Sequence, residues 1–242
     1  AVSRDGELLA STYTDATGGI TLEFETPLEI PGPVDLVVTA FNKMPYETTV
    51  NVIAPDGAYM LMGDIAVTGG ADQILDYGET GSLYTTFENV GQDPSGDLTF
   101  TLIHEAGMVT LSSNIIQNGS VAAGTEVTIG PFEFQVSWNV DDGGLIPFVI
   151  QATDNIETWE YEVNIPVEAP DYNLMSVDFL DLGNGTLDPG ENTTMQLVLT
   201  NVGHSPVSSP TFEATTSDPN IILGTVESDN AYWWEIGSQV TI

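Results

Sequence analysis

The residues that could do chemistry in this chain are mainly carboxylates on glycine-containing loops. One short run carries four candidate oxygen ligands, Asp181, Asn184, Asp188 and Glu191. Hard cations such as Ca²⁺ take oxygen ligands from loops of this kind. The spacing differs from that of an EF-hand, and the flanking residues alternate as strands do. The run therefore predicts a calcium site, and the alternative is that Asp-Pro-Gly-Glu at 188–191 is a tight turn.

A second loop repeats this pattern earlier in the chain. Its candidate ligands are Asp72, Asp76 and Glu79. Tyr77 stands where the later loop has proline, and no Asn-Gly pair precedes it. The shared carboxylates predict a second calcium site, with the same alternative of a tight turn.

The other reactive side chains form no catalytic set. His104 and His204 are the two imidazoles, and neither stands in a serine-nucleophile or paired-histidine motif. The chain has no cysteine, which excludes a thiol nucleophile and a disulfide framework. No pair of carboxylates is singled out by spacing as a glycosidase acid pair. We therefore expect a protein that is not an enzyme.

An aromatic run near residue 233 is the remaining candidate for ligand binding. Tyr232, Trp233 and Trp234 are consecutive, so alternation places Trp233 and Trp234 on opposite faces of a strand. Trp234 is expected to fill the core. Trp233 is then the candidate ligand-binding residue, because an exposed indole can stack on the apolar face of a sugar.

Charge excludes several classes of partner. The chain has 36 acidic residues against two basic ones, Arg4 and Lys43, and a formal net charge of -34. Nucleic acid is excluded, because phosphate binding needs clustered Lys and Arg. Anionic membrane surfaces are excluded for the same reason, and no stretch approaches the ~20 apolar residues that insert into a bilayer. So acidic a surface suits a salty or calcium-bearing medium, and we expect an extracellular protein, secreted or at the cell surface.

Period-2 alternation dominates the sequence. In Ile20–Phe24, for example, the apolar side chains fall on one face, and no amphipathic helical window competes. Turn residues such as Asp56-Gly57 and Asp154-Asn155 separate the alternating segments at short intervals. The pattern predicts an all-β fold of tandem immunoglobulin-like sandwiches.

An internal repeat organises most of the chain. Leu-Asp-Tyr-Gly-Glu at 75–79 recurs as Leu-Asp-Pro-Gly-Glu at 187–191, an offset of 188 − 76 = 112 residues. Asn-Val-Gly at 89–91 recurs at 201–203 with the same offset. Between these anchors, alternate apolar positions stay in register. We therefore predict two copies of one module.

The repeat divides the chain into three parts. We predict a partial immunoglobulin-like domain at 1–54 (the N-terminal segment), a repeat at 55–169 (the first copy) and a partial repeat at 170–242 (the second copy). The second copy ends at the equivalent of Ile129 and has no counterpart of 130–167. The first and last modules are expected to be truncated, or their missing strands to come from another chain, which would make a strand-exchanging polymer.

The N-terminal segment resembles a known family. Its stretches at 2–9, 14–18 and 37–46 resemble the immunoglobulin-like domain that follows the catalytic domain of gingipain-type bacterial cysteine proteases. The two copies look like the acidic adhesion-type repeats of such proteins, whose Asn-Gly-x-Leu-Asp-Pro-Gly-Glu motif stands here at 184–191. The resemblance implies a larger secreted parent that carries its cysteine protease domain upstream.

These observations lead to three expectations of function. The first is a non-catalytic structural or adhesion region whose partners are other domains of the parent, with calcium stiffening its loops. The second is a module that binds carbohydrate or a surface protein through its loops or Trp233. The third is an accessory region that docks on a secreted cysteine protease domain. Fold alone does not choose between them.

Overall fold

The computed structural model describes residues 1–70, 74–105, 107–180, 187–229 and 232–242. The regular elements of these residues are β-strands, which pair in antiparallel ladders, so the predicted all-β fold is confirmed. The strands are β1 Val2–Arg4, β2 Glu7–Ala10, β3 Gly32–Val38, β4 Tyr46–Val52, β5 Met60–Gly69, β6 Thr80–Asn89, β7 Leu98–Ile103, β8 Val109–Ser113, β9 Ile115–Asn118, β10 Glu126–Val136, β11 Gly144–Thr153, β12 Thr158–Val167, β13 Tyr172–Leu180, β14 Thr194–Asn201, β15 Val207–Ser208, β16 Trp233–Trp234 and β17 Gln239–Thr241. In this described part of the chain, no helix has the length and apolar character needed to cross a membrane.

The first copy folds as an immunoglobulin-like sandwich. One sheet has the order β5-β6-β10-β8 and the other β12-β11-β7-β9. With β5, β6, β7, β8, β10, β11 and β12 taken as strands A to G, these orders are A-B-E-D and G-F-C, the arrangement of a constant-type immunoglobulin domain. Strand β9 is an addition beside the third strand.

Alternating aromatic and aliphatic side chains fill the space between these two sheets. Phe87 of β6 packs on Phe100 of β7 with ring centroids 4.8 Å apart. Phe134 of β10 packs on Phe148 of β11 at 5.0 Å. The four rings are almost completely buried. Burial of a side chain of this size contributes about 1.5–3 kcal/mol, so these pairs hold the sheets face to face.

The second copy repeats the first sheet of the first copy. Strands β13, β14 and β17 pair in the order that β5, β6 and β10 show. Tyr172 pairs with Asn201 where Met60 pairs with Asn89, and both ladders carry a bulge a few residues further along β13 and β5. The two copies therefore share the strand register of this sheet.

The two copies differ in what covers the inner face of this sheet. Leu83 of the first copy is fully buried, whereas the equivalent Met195 is 42% exposed. Phe179 on the neighbouring strand is 49% exposed. The described residues of the second copy provide only the small β15-β16 ladder over this face, and its Trp234 covers one end.

The N-terminal segment forms a four-stranded sheet of order β2-β1-β3-β4. The predicted strand at Ile20–Phe24 is wrong, because these residues belong to a long loop between β2 and β3. Asp15 shapes the start of that loop, since its carboxylate accepts the N–H groups of Thr17 and Gly19, each at 2.8 Å. Among the described strands, none pairs with residues 20–24, so the alternation there is not accompanied by a ladder.

The sequence pattern extends the buried face of β10 too far. The period of Phe132, Phe134 and Val136 predicts that Trp138 lies on the same face, but β10 ends at Val136 and Trp138 is 67% exposed. Its ring instead makes an edge contact with Tyr77, with centroids 5.4 Å apart. The ring also lies over Gly78, where an added Cβ would come within 2.6 Å of it.

The Asn-Val-Gly motif fastens the start of each copy. In the first copy the Asn89 side chain accepts the N–H of Tyr59 and donates to the carbonyls of Asp93 and Val121. Gly91 then passes so close to residues 57–59 that an added Cβ would lie 2.2 Å from the Gly57 carbonyl oxygen. Only glycine permits this approach of two backbones.

Substituting Gly91 with alanine tests this close approach. We expect Gly91→Ala to lower the free energy of unfolding by about 1–3 kcal/mol, because the backbone at 57–59 must move away. Urea denaturation followed by tryptophan fluorescence measures the change. Gly119→Ala is the control, because an added Cβ there meets no atom within 4 Å. Equal stability of the two variants would contradict the account.

Candidate functional site

The predicted calcium ligands fall into two groups. Asp72, Asp181 and Asn184 lie outside the described residues. Asp76, Glu79, Asp188 and Glu191 are described, and they form two loops of the same geometry.

Each loop is closed by its own glutamate. Glu79 accepts the backbone N–H of Asp76 at 3.1 Å, and Glu191 accepts that of Asp188 at 2.9 Å. The backbone N–H of each glutamate donates in turn to the carbonyl of the aspartate, at 3.2 and 3.1 Å. Gly78 and Gly190, at φ of 71° and 88°, supply the left-handed residue between them. The turn interpretation is thus confirmed for both loops, and calcium binding stays a prediction.

The carboxylates of the earlier loop are already occupied by protein groups. Glu79 lies against Gly70, where an added Cβ would come within 2.5 Å of its Oε1. Asp76 accepts a hydrogen bond from the hydroxyl of Ser205, 2.5 Å away in the second copy. In the described part of the chain, no group of three or more acidic, His or Cys side chains is placed to hold a metal ion. Asp76 and Glu79 therefore already bind protein groups, and calcium binding by them stays a prediction.

The same loop binds the second copy through a second hydrogen bond. The hydroxyl of Tyr77 donates to the carbonyl oxygen of Pro206 at 3.0 Å. Burial raises the pKa of Tyr77, and the charge of Asp76 adds to the increase. The phenol therefore stays protonated and remains a donor. We call residues 75–79 the Asp76 loop and residues 203–206 the His204 loop.

A second loop of the first copy, at 141–144, holds the other side of the His204 loop. We call it the Asp142 loop. Its Asp142 carboxylate accepts three N–H groups, from the backbones of Ala169 at 3.0 Å and His204 at 3.2 Å and from Nδ1 of the His204 ring at 2.7 Å. One carboxylate thus joins the first copy, the second copy and segment 167–171 between them, which we call the connecting segment.

The connecting segment is itself part of this junction. The backbone carbonyl of Glu168 accepts the N–H of Tyr77, and the backbone N–H of Glu168 donates to the carbonyl of Leu75, both at 2.9 Å. At its other face, Gly203 approaches Ala169 so closely that an added Cβ would lie 2.4 Å from the Ala169 carbonyl oxygen. The Asp76 loop, the Asp142 loop and segment 167–171 therefore enclose the His204 loop.

The contacts of Asp142 and His204 shift the pKa values of both side chains. Burial alone would raise the pKa of Asp142, but the N–H donors of Ala169 and His204 and the imidazole more than offset it, so the pKa lies below its ordinary value. The hydrogen bond to Asp142 and its charge raise the pKa of His204, and Glu168 adds to the increase. The His204 side chain is 67% exposed and that of Asp142 15% exposed.

The other histidine has a structural position. Nδ1 of His104 lies 2.7 Å from the carbonyl oxygen of Pro147, and its Nε2 accepts the N–H of Met108 at 3.2 Å. A carbonyl can only accept, so Nδ1 carries the proton and Nε2 the lone pair. Both nitrogens are therefore engaged, and the ring joins Met108 to Pro147 of β11.

The two tryptophans lie as the alternation predicts. Trp234 is 1% exposed and stacks on Tyr172, with ring centroids 4.9 Å apart. Its indole N–H donates to the carbonyl of Ser238 at 2.9 Å. Trp233, the predicted ligand-binding residue, is 47% exposed on the opposite face. Ligand binding by Trp233 stays a prediction.

Sequence reasoning missed the junction partners Tyr77, Asp142, Ser205 and Pro206. One signal was present. The loop after Asn-Val-Gly ends in proline in both copies, at Pro94 and Pro206. In the first copy this loop also reaches back to the preceding segment, since Gln92 donates to the carbonyl of Ala54 at 2.9 Å and to Asp56 at 3.1 Å.

Comparisons with known proteins identify no family. No protein-family model matches the chain, and no curated protein matches it. One matching solved structure is the crystal structure of trypsin-activated alpha-2-macroglobulin from Escherichia coli, at 18% identity and a TM-score of 0.38. The match covers 69% of this chain and 11% of that chain. A likeness of this level supports no statement about function, and the resemblance to gingipain-type proteins stays a prediction.

The hydrogen bond between Asp76 and Ser205 can be tested by a double-mutant cycle. We expect Asp76→Ala and Ser205→Ala to show a coupling energy of about 1–2 kcal/mol in urea unfolding, because a buried hydroxyl donates to a carboxylate. A cycle of Asp76→Ala with Ser208→Ala is the control, since Ser208 is exposed on β15. A coupling near zero in the first cycle would show that the contact does not join the copies.

Proposed function

We propose that the chain is a non-catalytic structural region of a larger extracellular bacterial protein, in which immunoglobulin-like modules hold their neighbours at a fixed orientation. The observation that carries this proposal is the enclosure of the His204 loop by the Asp76 loop, the Asp142 loop and segment 167–171. Domains of one chain are usually joined by exposed, flexible linkers, and few contacts cross between the domains. Modules that move independently would therefore not need the hydrogen bonds seen at this junction. The junction therefore holds the two copies at a fixed spacing and orientation.

Composition supports the extracellular and non-catalytic parts of the proposal. The net charge of -34 keeps extended modules soluble and apart in a salty medium. The absence of cysteine leaves no thiol for catalysis or for exchange outside the cell. Both nitrogens of His104 are bonded within the fold, and His204 is bonded at the junction. The resemblance of residues 1–54 to gingipain-type proteins suggests a protease parent, whose other domains would be the partners.

Calcium is proposed only for the later loop. Asp181, Asn184, Asp188 and Glu191 offer oxygens of the kind that Ca²⁺ prefers. Of these four residues, Asp188 and Glu191 are described, and one oxygen of Glu191 accepts the N–H of Asp188. A bound ion would add positive charge to a strongly acidic module and so reduce its self-repulsion.

The fixed orientation can be tested by small-angle X-ray scattering. We expect the wild-type chain to give a narrower distribution of interatomic distances than the Tyr77→Phe/Ser205→Ala double variant, which lacks two hydrogen bonds across the junction. Both proteins are measured at the same pH and ionic strength. Identical broad distributions would contradict a fixed junction. Circular dichroism confirms that the variant keeps its strands.

The calcium proposal can be tested by thermal unfolding. We expect millimolar Ca²⁺ to raise the unfolding midpoint by several degrees relative to EDTA, because an ion that binds only the folded state stabilises it. Mg²⁺ at equal ionic strength controls for screening of the acidic surface. Asp188→Asn should abolish the increase if the later loop is the site. Equal midpoints in Ca²⁺ and Mg²⁺ would contradict a specific site.

A further inference from the structure

The junction between the copies contains a titratable pair whose protonation state the proposed rigid spacing leaves open. His204 of the second copy and Asp142 of the first copy make both a side-chain contact at 2.7 Å and a backbone contact at 3.2 Å. The two residues are 62 positions apart in the chain and belong to different modules. Their contact therefore forms and breaks with the junction itself.

Acidic residues are frequent on the elements that contact the His204 loop. The acidic residues on the three elements that enclose the His204 loop are Asp76, Glu79, Asp141, Asp142, Glu168 and Asp171. Tyr77 is the neutral phenol among them. The two basic residues of the whole chain, Arg4 and Lys43, lie in the N-terminal segment. A protonated His204 is thus the one side-chain cation that the enclosing elements and the loop can supply.

We propose that the His204–Asp142 pair is a proton-operated latch, which fastens the two copies together in acidic medium and loosens as the medium becomes neutral to alkaline. The chemistry is a proton shared between the solvent and Nε2 of the imidazole. With both nitrogens protonated, a charged donor meets the carboxylate, and a charge-assisted bond is stronger than a neutral one. With Nε2 deprotonated, Nδ1–H can still donate, but the attraction between opposite charges is lost.

The direction of the pH dependence follows from linkage. The pKa of His204 is raised in the closed junction, so closing favours the protonated form. The added stability of the junction is complete below the ordinary histidine pKa of 6.5 and is lost as pH rises through the raised value. The pKa of Asp142 is lowered, so this carboxylate stays ionised at mildly acidic pH.

The size of the effect is limited by exposure. His204 is mostly open to solvent, so the charge interaction is screened by salt. We expect the open fraction of the junction to rise roughly two- to fivefold between pH 5 and pH 8.5 at low salt, as exposed ion pairs allow. At high salt the rise should shrink, because ions screen the pair.

Distance measurement between spin labels tests the latch on the full chain. The protein has no cysteine, so Thr110→Cys and Gln239→Cys place one label on β8 of the first copy and one on β17 of the second. Pulsed electron paramagnetic resonance then gives the width of the distance distribution at each pH. We expect a narrow distribution at pH 5 and a broader one at pH 8.5 in 20 mM salt.

Two variants separate the imidazole from other titrating groups. His204→Gln keeps a donor without a charge, so its distribution at both pH values should match that of the wild type at pH 8.5. His104→Gln changes the other histidine, and it should keep the pH dependence. The pKa of His204, read from its ring NMR signals, should fall in Asp142→Asn.

The outcomes also distinguish this inference, which rests on the proposed fixed junction, from the proposal itself. A narrow distribution at both pH values overturns the latch and leaves the fixed junction intact. A broad distribution at both pH values overturns the two together. Persistence of the pH dependence in His204→Gln overturns the assignment to His204.

Discussion

The close approach of two backbones at each Asn-Val-Gly motif is the constraint on which the arrangement of the copies depends. At Gly203 an added Cβ would lie 2.3 Å from the amide nitrogen of Asp171 and 2.4 Å from the carbonyl oxygen of Ala169. Asn201 fixes the turn by accepting the N–H of Gly203 and donating to the carbonyl of Ser205. The loop that follows is thereby held against the connecting segment. His204, Ser205 and Pro206 can then meet the first copy.

A second constraint is the shortage of cations. A chain with 36 acidic and two basic residues cannot pair its carboxylates with lysine or arginine. The structure uses neutral donors instead. Asp15 and Asp154 accept backbone N–H groups, and each has a lowered pKa. Asp154, for example, accepts the N–H groups of Gly96, Ile156 and Glu157 within 3.1 Å. Such bonds keep the carboxylates ionised and shape turns without a counter-ion.

Much of the fold could be predicted from the sequence because its signals are local or repeated. Leu83, Thr85 and Phe87 alternate along β6 and are all buried, as the period of a strand requires. The two acidic loops, 112 residues apart, share their backbone geometry as well as their residue types. Alternation failed at Ile20–Phe24, since a strand also needs a neighbour to pair with, and one-dimensional pattern does not supply one.

The junction could not be predicted in the same way. Asp76 and Ser205 are 129 positions apart, and neither residue type is unusual in a loop. Asp76 and Glu79 were interpreted as calcium ligands because their spacing repeats at 188 and 191. In the structure the glutamate closes the turn and the aspartate binds the next copy, while calcium binding by these two side chains stays a prediction. Whether a carboxylate binds an ion or a protein donor depends on which groups lie next to it in the folded chain. These groups come from distant loops, so the local sequence does not specify them.

Residual dipolar couplings of the backbone amides test most directly whether the two copies form one rigid unit. The couplings are measured in a single alignment medium at pH 5 and low salt, and an alignment tensor is fitted separately to β5–β12 and to β13, β14 and β17. The account predicts two tensors of equal magnitude and orientation when both copies are expressed in the coordinate frame of the structure. A clearly smaller tensor for the second copy would show that it moves independently, and that result would contradict the central claim.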